Sequence, residues 1–177
     1  MIEKLKWDSR FFKKKIGKLK EVPSRKKLKK LIQEAYKNKY EYLTCRLILG
    51  KVSDIQVLEE HGFYLADIGV MWEREVDIQH STFPVRVATI KDAPMLKSMV
   101  RGLFRDSRFY NDPFFTFEEG ERFYQAWVDN SLRDKSDKTF IVEKSGFITC
   151  KKISGNMGGI QLIGVVPEKH GRGIGRN

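Results

Sequence analysis

Gly159-Ile160-Gln161-Leu162-Ile163-Gly164-Val165-Val166-Pro167-Glu168-Lys169-His170-Gly171-Arg172-Gly173-Ile174-Gly175 is the most informative stretch of the chain. Its first half is an apolar run that reads as a buried strand, and Pro167 turns the chain out of it. Its second half is a glycine-rich loop placed where a helix would begin. Such a loop gathers successive backbone N–H groups into a pocket for a phosphate or diphosphate, and glycine lets the ligand approach the backbone closely. Two familiar nucleotide loops do not fit. A Walker loop needs Gly-Lys-Ser/Thr after its second glycine, and a dinucleotide site needs Gly-x-Gly-x-x-Gly, whereas the spacing here is Gly171-x-Gly173-x-Gly175.

Upstream of this stretch, Thr139 to Glu143 and Phe147 to Lys151 read as two further strands. Lys144-Ser145-Gly146 and Ser154-Gly155-Asn156-Met157-Gly158 supply the turns of a meander. Before them, Thr116 opens a helix with Glu119 completing a capping box, and Phe123, Tyr124 and Trp127 share one side of it. Ser107-Arg108-Phe109-Tyr110-Asn111-Asp112-Pro113-Phe114-Phe115 reads as an irregular aromatic loop, because Asn-Asp-Pro favours turns. A helix from Asp92 to Leu103 and a strand from Val85 to Ala88 precede it. Asp77-Ile78-Gln79-His80-Ser81-Thr82-Phe83-Pro84 has the composition of a linker, dividing the chain into 1–80 and 84–177.

The first of these regions holds a helix capped by Ser24, with Leu28, Leu31, Ile32 and Ala35 in one apolar stripe. A strand from Tyr42 to Ile48, a short helix from Ser53 to Glu60 closed by Gly62, and an extended run from Phe63 to Val76 follow. The order predicts an α+β fold: a mixed, mostly antiparallel sheet flanked by helices, with a small N-terminal α/β subdomain.

The chain has 177 residues, 41% hydrophobic and 32% charged, the make-up of a folded globular protein rather than a disordered one. No apolar run is long enough to span a membrane and no secretory leader is legible. Two cysteines, Cys45 and Cys150, are too few for a disulfide framework and read as buried strand residues, so a reducing cytoplasm is the expected location. His61 and His80 lack metal-ligand spacing, and no metal is expected. The formal charge of +11 lies wholly in residues 1–40, which carry 15 basic and 4 acidic side chains. Lys26, Lys27, Lys29, Lys30 and Lys37 fall on the outer faces of the Ser24-capped helix. The plain reading is a solvated surface, since the stripe lacks interleaved aromatics and a recognised motif; a nucleic-acid-binding face is the rival.

The terminal strand and loop resemble the acetyl-CoA motif of the GNAT superfamily of N-acetyltransferases. That resemblance implies that Ile163, Gly164 and Val165 present backbone groups to the pantetheine arm at a bulge, and that His170, Gly171, Arg172, Gly173, Ile174 and Gly175 hold the diphosphate. His170 stands where the family usually has Gln or Arg. Trp7-Asp8-Ser9-Arg10-Phe11-Phe12 with Ile16-Gly17-Lys18-Leu19, and the 107–115 segment, resemble the TDP-fucosamine acetyltransferases. The implied reaction is direct acetyl transfer from acetyl-CoA to the primary amine of an amino-sugar nucleotide, with Arg108, Phe109 and Tyr110 on the substrate side. A base frees the amine, backbone N–H groups stabilise the oxyanion and an acid protonates the thiolate. The family's tyrosine acid would lie beyond residue 177, so catalytic residues are unassigned and the chain is expected to be a truncated, weakly active or inactive form. A non-catalytic CoA-binding remnant is the other alternative. The assembly stays open, a homodimer included.

Overall fold

The computed structural model describes residues 1–48, 50–76, 81–134 and 137–176. The chain divides into two compact units, residues 1–68 and 69–177. Residues 77–80 of the expected linker, His80 among them, lie outside the described residues.

The first unit builds a three-stranded sheet from β1 (Ile2–Lys4), β2 (Ile16–Leu19) and β3 (Tyr42–Cys45), in the order β1-β2-β3. Helices α1 (Lys6–Phe12), α2 (Arg25–Lys37) and α3 (Val52–Glu59) accompany it. β1 runs antiparallel to β2, and β2 parallel to β3, Ile16 facing Tyr42 and Leu19 facing Cys45. A parallel pair needs a long crossover, and α2 supplies it. Leu19, Leu28, Val57 and Leu58 form the core, with Leu31, Ile32, Cys45 and Phe63 packed against them. The stripe read from the sequence is therefore the buried face of α2. In the central strand, a Cβ on Gly17 would come within 2.8–2.9 Å of Ile2, Leu43 and Tyr40, so any larger residue would have to displace these side chains.

The extended run from Phe63 to Val76 is a correction. It forms no strand, and Leu65, Ile68, Val70, Met71 and Trp72 are exposed. A strand exists only through a neighbour's hydrogen bonds, and an apolar sequence cannot supply its own partner.

The second unit holds β4 (Val85–Val87), β5 (Asp137–Val142), β6 (Gly146–Ser154) and β7 (Met157–Val165), antiparallel throughout in the order β4-β5-β6-β7. The meander is thus present, and the fold is α+β with mostly antiparallel sheets flanked by helices. A 3-10 turn at Ile90–Asp92 leads into α4 (Ala93–Val100), shorter than the helix expected from Asp92 to Leu103. Arg86 reaches across to both Asp92 at 2.7 Å and Glu143 at 2.9 Å, tying this turn to the sheet. The expected irregular loop contains a helical turn, α5 (Arg108–Asn111). The long helix α6 (Phe117–Arg133) starts with the expected capping box, Thr116 accepting from the Glu119 amide and Glu119 from that of Thr116. Leu96, Val100, Val128 and Ile141 are almost wholly buried in this unit.

Candidate functional site

β7 is an edge strand of the four-stranded sheet. The Val166 amide donates to the Ser145 carbonyl at 2.9 Å and the Leu162 amide to Thr149 Oγ1 at 2.9 Å, so the even-numbered residues turn their polar groups toward β6. By the alternation of an antiparallel ladder, the N–H and C=O groups of Ile163 and Val165 face away from the sheet. No further strand lies beyond β7 among the described residues.

The bulge sits earlier than the resemblance implies. Thr149 faces Leu162 while Cys150 faces Ile160, which leaves Gln161 as the extra residue of β7. The bulge re-aims its side chain, whose Oε1 lies 3.5 Å from the indole Nε1 of Trp127 on α6. Two residues on, Gly164 packs beneath the segment that follows α4: a Cβ there would stand 2.8 Å from Leu103 and 2.9 Å from Phe147. Gly164 is thus closely packed on the covered face, while its neighbours Ile163 and Val165 turn to the free edge.

Past Val166 the chain makes a 3-10 turn, Pro167–Lys169, and doubles back. His170 Nε2 donates to the Val165 carbonyl oxygen at 2.8 Å, which joins two of the expected site residues and covers one of the outward backbone acceptors. Gly171 and Gly173 have φ of 73° and 79°, a region costly for other residues, and a Cβ on either would meet nothing within 4 Å. Glycine is required there by backbone conformation, with open space beside it. A second 3-10 turn, Ile174–Arg176, brings Ile174 back over Gly146 of β6. His170, Gly171, Arg172 and Gly173 are exposed. The loop therefore borders the free edge of β7 and faces outward. Two clefts elsewhere, one over Lys15, Asn38 and Tyr40 and one over Ser131 and Thr139, share no residue with it.

The expected substrate-side residues have different fates. Phe109 is only 7% exposed and stacks on Phe123 with ring centroids 3.8 Å apart, so its ring packs in the core of the unit. Arg108 lies over the Phe109 ring at 4.7 Å. The Tyr110 hydroxyl donates to Glu121 Oε1 at 2.7 Å. The same buried carboxylate accepts from the Gly102 amide at 2.9 Å and from Arg101 Nε at 3.2 Å. Burial first, and then the bond to Glu121, push the Tyr110 phenol well above its usual range. Glu121 thus pins the segment after α4 and the 107–111 turn onto α6. Sequence reading passed over it, although a signal exists: Glu121 keeps the helical phase of Tyr124, Val128 and Ser131, a carboxylate set in the buried stripe.

Cys45 and Cys150 are half-buried, and burial pushes both thiols up, away from the reactive thiolate form. Among the described residues, no three His, Cys, Asp or Glu side chains gather to hold a metal, and no helix is long and apolar enough to cross a membrane.

No family model matches this chain, and neither does any curated protein. Among solved structures it is similar to a ribosomal-protein-alanine N-acetyltransferase from Brucella melitensis biovar Abortus 2308, with 15% identity and a TM-score of 0.37. The likeness covers 52% of this chain and 63% of that one, so this chain spans less than two thirds of that structure's length.

Proposed function

We propose that the second unit binds acetyl-CoA along the free edge of β7 and belongs to an N-acetyltransferase whose acceptor is an amino-sugar nucleotide. The observation that carries this reading is the continuity of an unpaired strand edge with a glycine loop. Outward backbone groups at Ile163 and Val165 run directly into a turn in which Gly171 and Gly173 hold positive φ beside open space. An extended amide-bearing arm pairs with a free strand edge as another strand would, and an anion suits the backbone amides that a glycine turn leaves accessible to close approach. When bound, acetyl-CoA supplies the activated acetyl group. Ile163 would hold the arm through both backbone groups and Val165 through its N–H. Backbone amides of the glycine turn would meet the diphosphate, with Arg172 adding charge. Arg108 and Tyr110 would stand on the acceptor side, with the buried Phe109 supporting them from the core.

Thermal denaturation with acetyl-CoA tests the binding step directly. Ligand at a hundredfold its Kd adds about 2.7 kcal/mol to the folded state. For a chain of this size that raises Tm by about 5–10 °C. The Gly171→Ala, Gly173→Ala double variant should lose most of that shift, because each Cβ strains the turn without striking a neighbour. An unchanged Tm at millimolar acetyl-CoA, or a full shift in the double variant, refutes the assignment. Thiol release in the presence of a TDP-linked amino sugar then reads the transfer itself.

A further inference from the structure

Helix α2 carries its charge in an arrangement that disfavours its own folding. Its first turn holds Arg25, Lys26 and Lys27 and no acidic residue, so like charge sits at the positive end of the helix dipole. Lys26 and Lys30 are spaced i,i+4, and Lys26 with Lys29 and Lys27 with Lys30 are spaced i,i+3, the separations at which side chains on a helix meet and like charges repel. Arg25 is paired with Glu60, whereas Lys26, Lys27, Lys29, Lys30 and Lys37 are all exposed and have no carboxylate partner among the described residues. Glu34 is the one acidic residue of the helix.

The structure adds the aromatic element that the sequence pattern did not reveal. Tyr36 is 85% exposed on this helix. At 100° per residue, Lys26, Lys30, Gln33 and Lys37 form one row along the outer face, and Lys29 and Tyr36, seven residues apart, form the row beside it. The row from Lys26 to Lys37 is about 16 Å long at the α-helical rise. Beyond its end, Lys39 continues the exposed basic surface.

A line of unpaired lysines flanked by a solvent-facing ring is the equipment of a surface that tracks a phosphodiester backbone and stacks a base. We infer that the outer face of α2 binds single-stranded nucleic acid, through Lys26, Lys29, Lys30 and Lys37 on successive phosphates and Tyr36 on a base. Bound phosphates would relieve both the repulsion along the helix and the charge at its N-terminus. This interaction is independent of the acetyl-CoA reading, which rests on the other unit.

The test is fluorescence anisotropy of a fluorescein-labelled oligothymidylate of twelve residues, titrated with the intact chain. Single strands release counterions with a slope of about −0.7 per phosphate neutralised, so four contacts give a log–log salt slope of about −3. Affinity should then fall about fiftyfold between 50 and 200 mM salt. The Lys26→Gln, Lys29→Gln, Lys30→Gln, Lys37→Gln variant should lose binding and nearly all of the salt slope. Tyr36→Ala should weaken binding at least fivefold at fixed salt with the slope kept. Lys144→Gln with Lys152→Gln, in the other unit, should change neither, and circular dichroism checks that each variant is folded. The proposal is overturned if the oligonucleotide fails to bind at 50 mM salt, or if the quadruple variant binds as the parent does. It is equally overturned if Tyr36→Ala has no effect, or if polyglutamate or vesicles of anionic lipid bind as tightly, because the face would then read only negative charge.

Discussion

Replacing Gly120 with alanine puts a sign to the claim that the 107–111 turn is seated on α6. In the interior of an open helix the change stabilises, since alanine is favoured over glycine by about 1 kcal/mol. Here Gly120 is buried, and the new Cβ would stand 2.8 Å from the Phe109 carbonyl oxygen and 3.1 and 3.2 Å from carbons of the Tyr110 ring. A backbone carbonyl cannot swing aside as a side chain can, so the turn itself must lift. Overpacking of this kind costs about 1–3 kcal/mol, and a contact with backbone belongs in the upper half of that range. Net of the helix gain, Gly120→Ala should destabilise the unit by about 1–2 kcal/mol. Lifting the turn also lengthens the Tyr110–Glu121 bond, which adds to the loss. Urea unfolding followed by Trp127 fluorescence, with Trp7 and Trp72 replaced by phenylalanine, reports on this region because Trp127 packs on Phe123 and Tyr124. The midpoint should fall with the slope unchanged. A midpoint that rises, as for an ordinary helical glycine, would show that the 107–111 turn does not rest on α6.

Two further perturbations follow from the same geometry. Tyr110→Phe removes a donor from the buried Glu121 carboxylate and should cost about 1–3 kcal/mol in the same urea assay; no loss would mean that Glu121 is satisfied without it. The Asp92 carboxyl is held well below its ordinary range, first by Arg86 and then by the Thr89 amide. A depressed carboxylate contributes stability above its unfolded pKa and loses it as pH falls toward the folded one, so the contribution should drain away below about pH 4. Asp92→Asn should flatten that acid limb and leave the region above pH 5 level, and added salt should weaken the effect because the pair is at the surface. An acid limb identical in the two proteins would refute the Asp92 assignment.

Several local readings hold, although Ser24 makes no side-chain cap bond to α2, α4 stops at Val100 and the segment read as an irregular loop coils at Arg108–Asn111. The α2 stripe, the Thr116–Glu119 capping box, the positive-φ turn at Gly62 and the glycine-bearing hairpins each depend on residues within a few positions of one another, and such signals survive in any tertiary setting. The glycine loop was legible for the same reason, since φ of 73° and 79° at Gly171 and Gly173 is a local demand. Strands β1 and β2 escaped notice because they are three and four residues long and exist through their pairing with each other and with β3. The run from Phe63 to Val76 failed in the opposite direction, having strand-like residues but no strand paired to it among the described residues.

The candidate site divides along the same line. Sequence by itself determined which backbone can bend at positive φ, where an apolar strand ends, and where the positive charge of the chain resides. Tertiary structure alone decided that Phe109 fills a core while Tyr110 serves Glu121, that the bulge falls at Gln161, that His170 closes on the Val165 carbonyl and that Tyr36 turns to solvent. Each of those depends on groups brought together by the folding of distant or intervening segments, and the free energy that chooses among them is that of burial and pairing, which no single stretch of chain possesses before it meets the others.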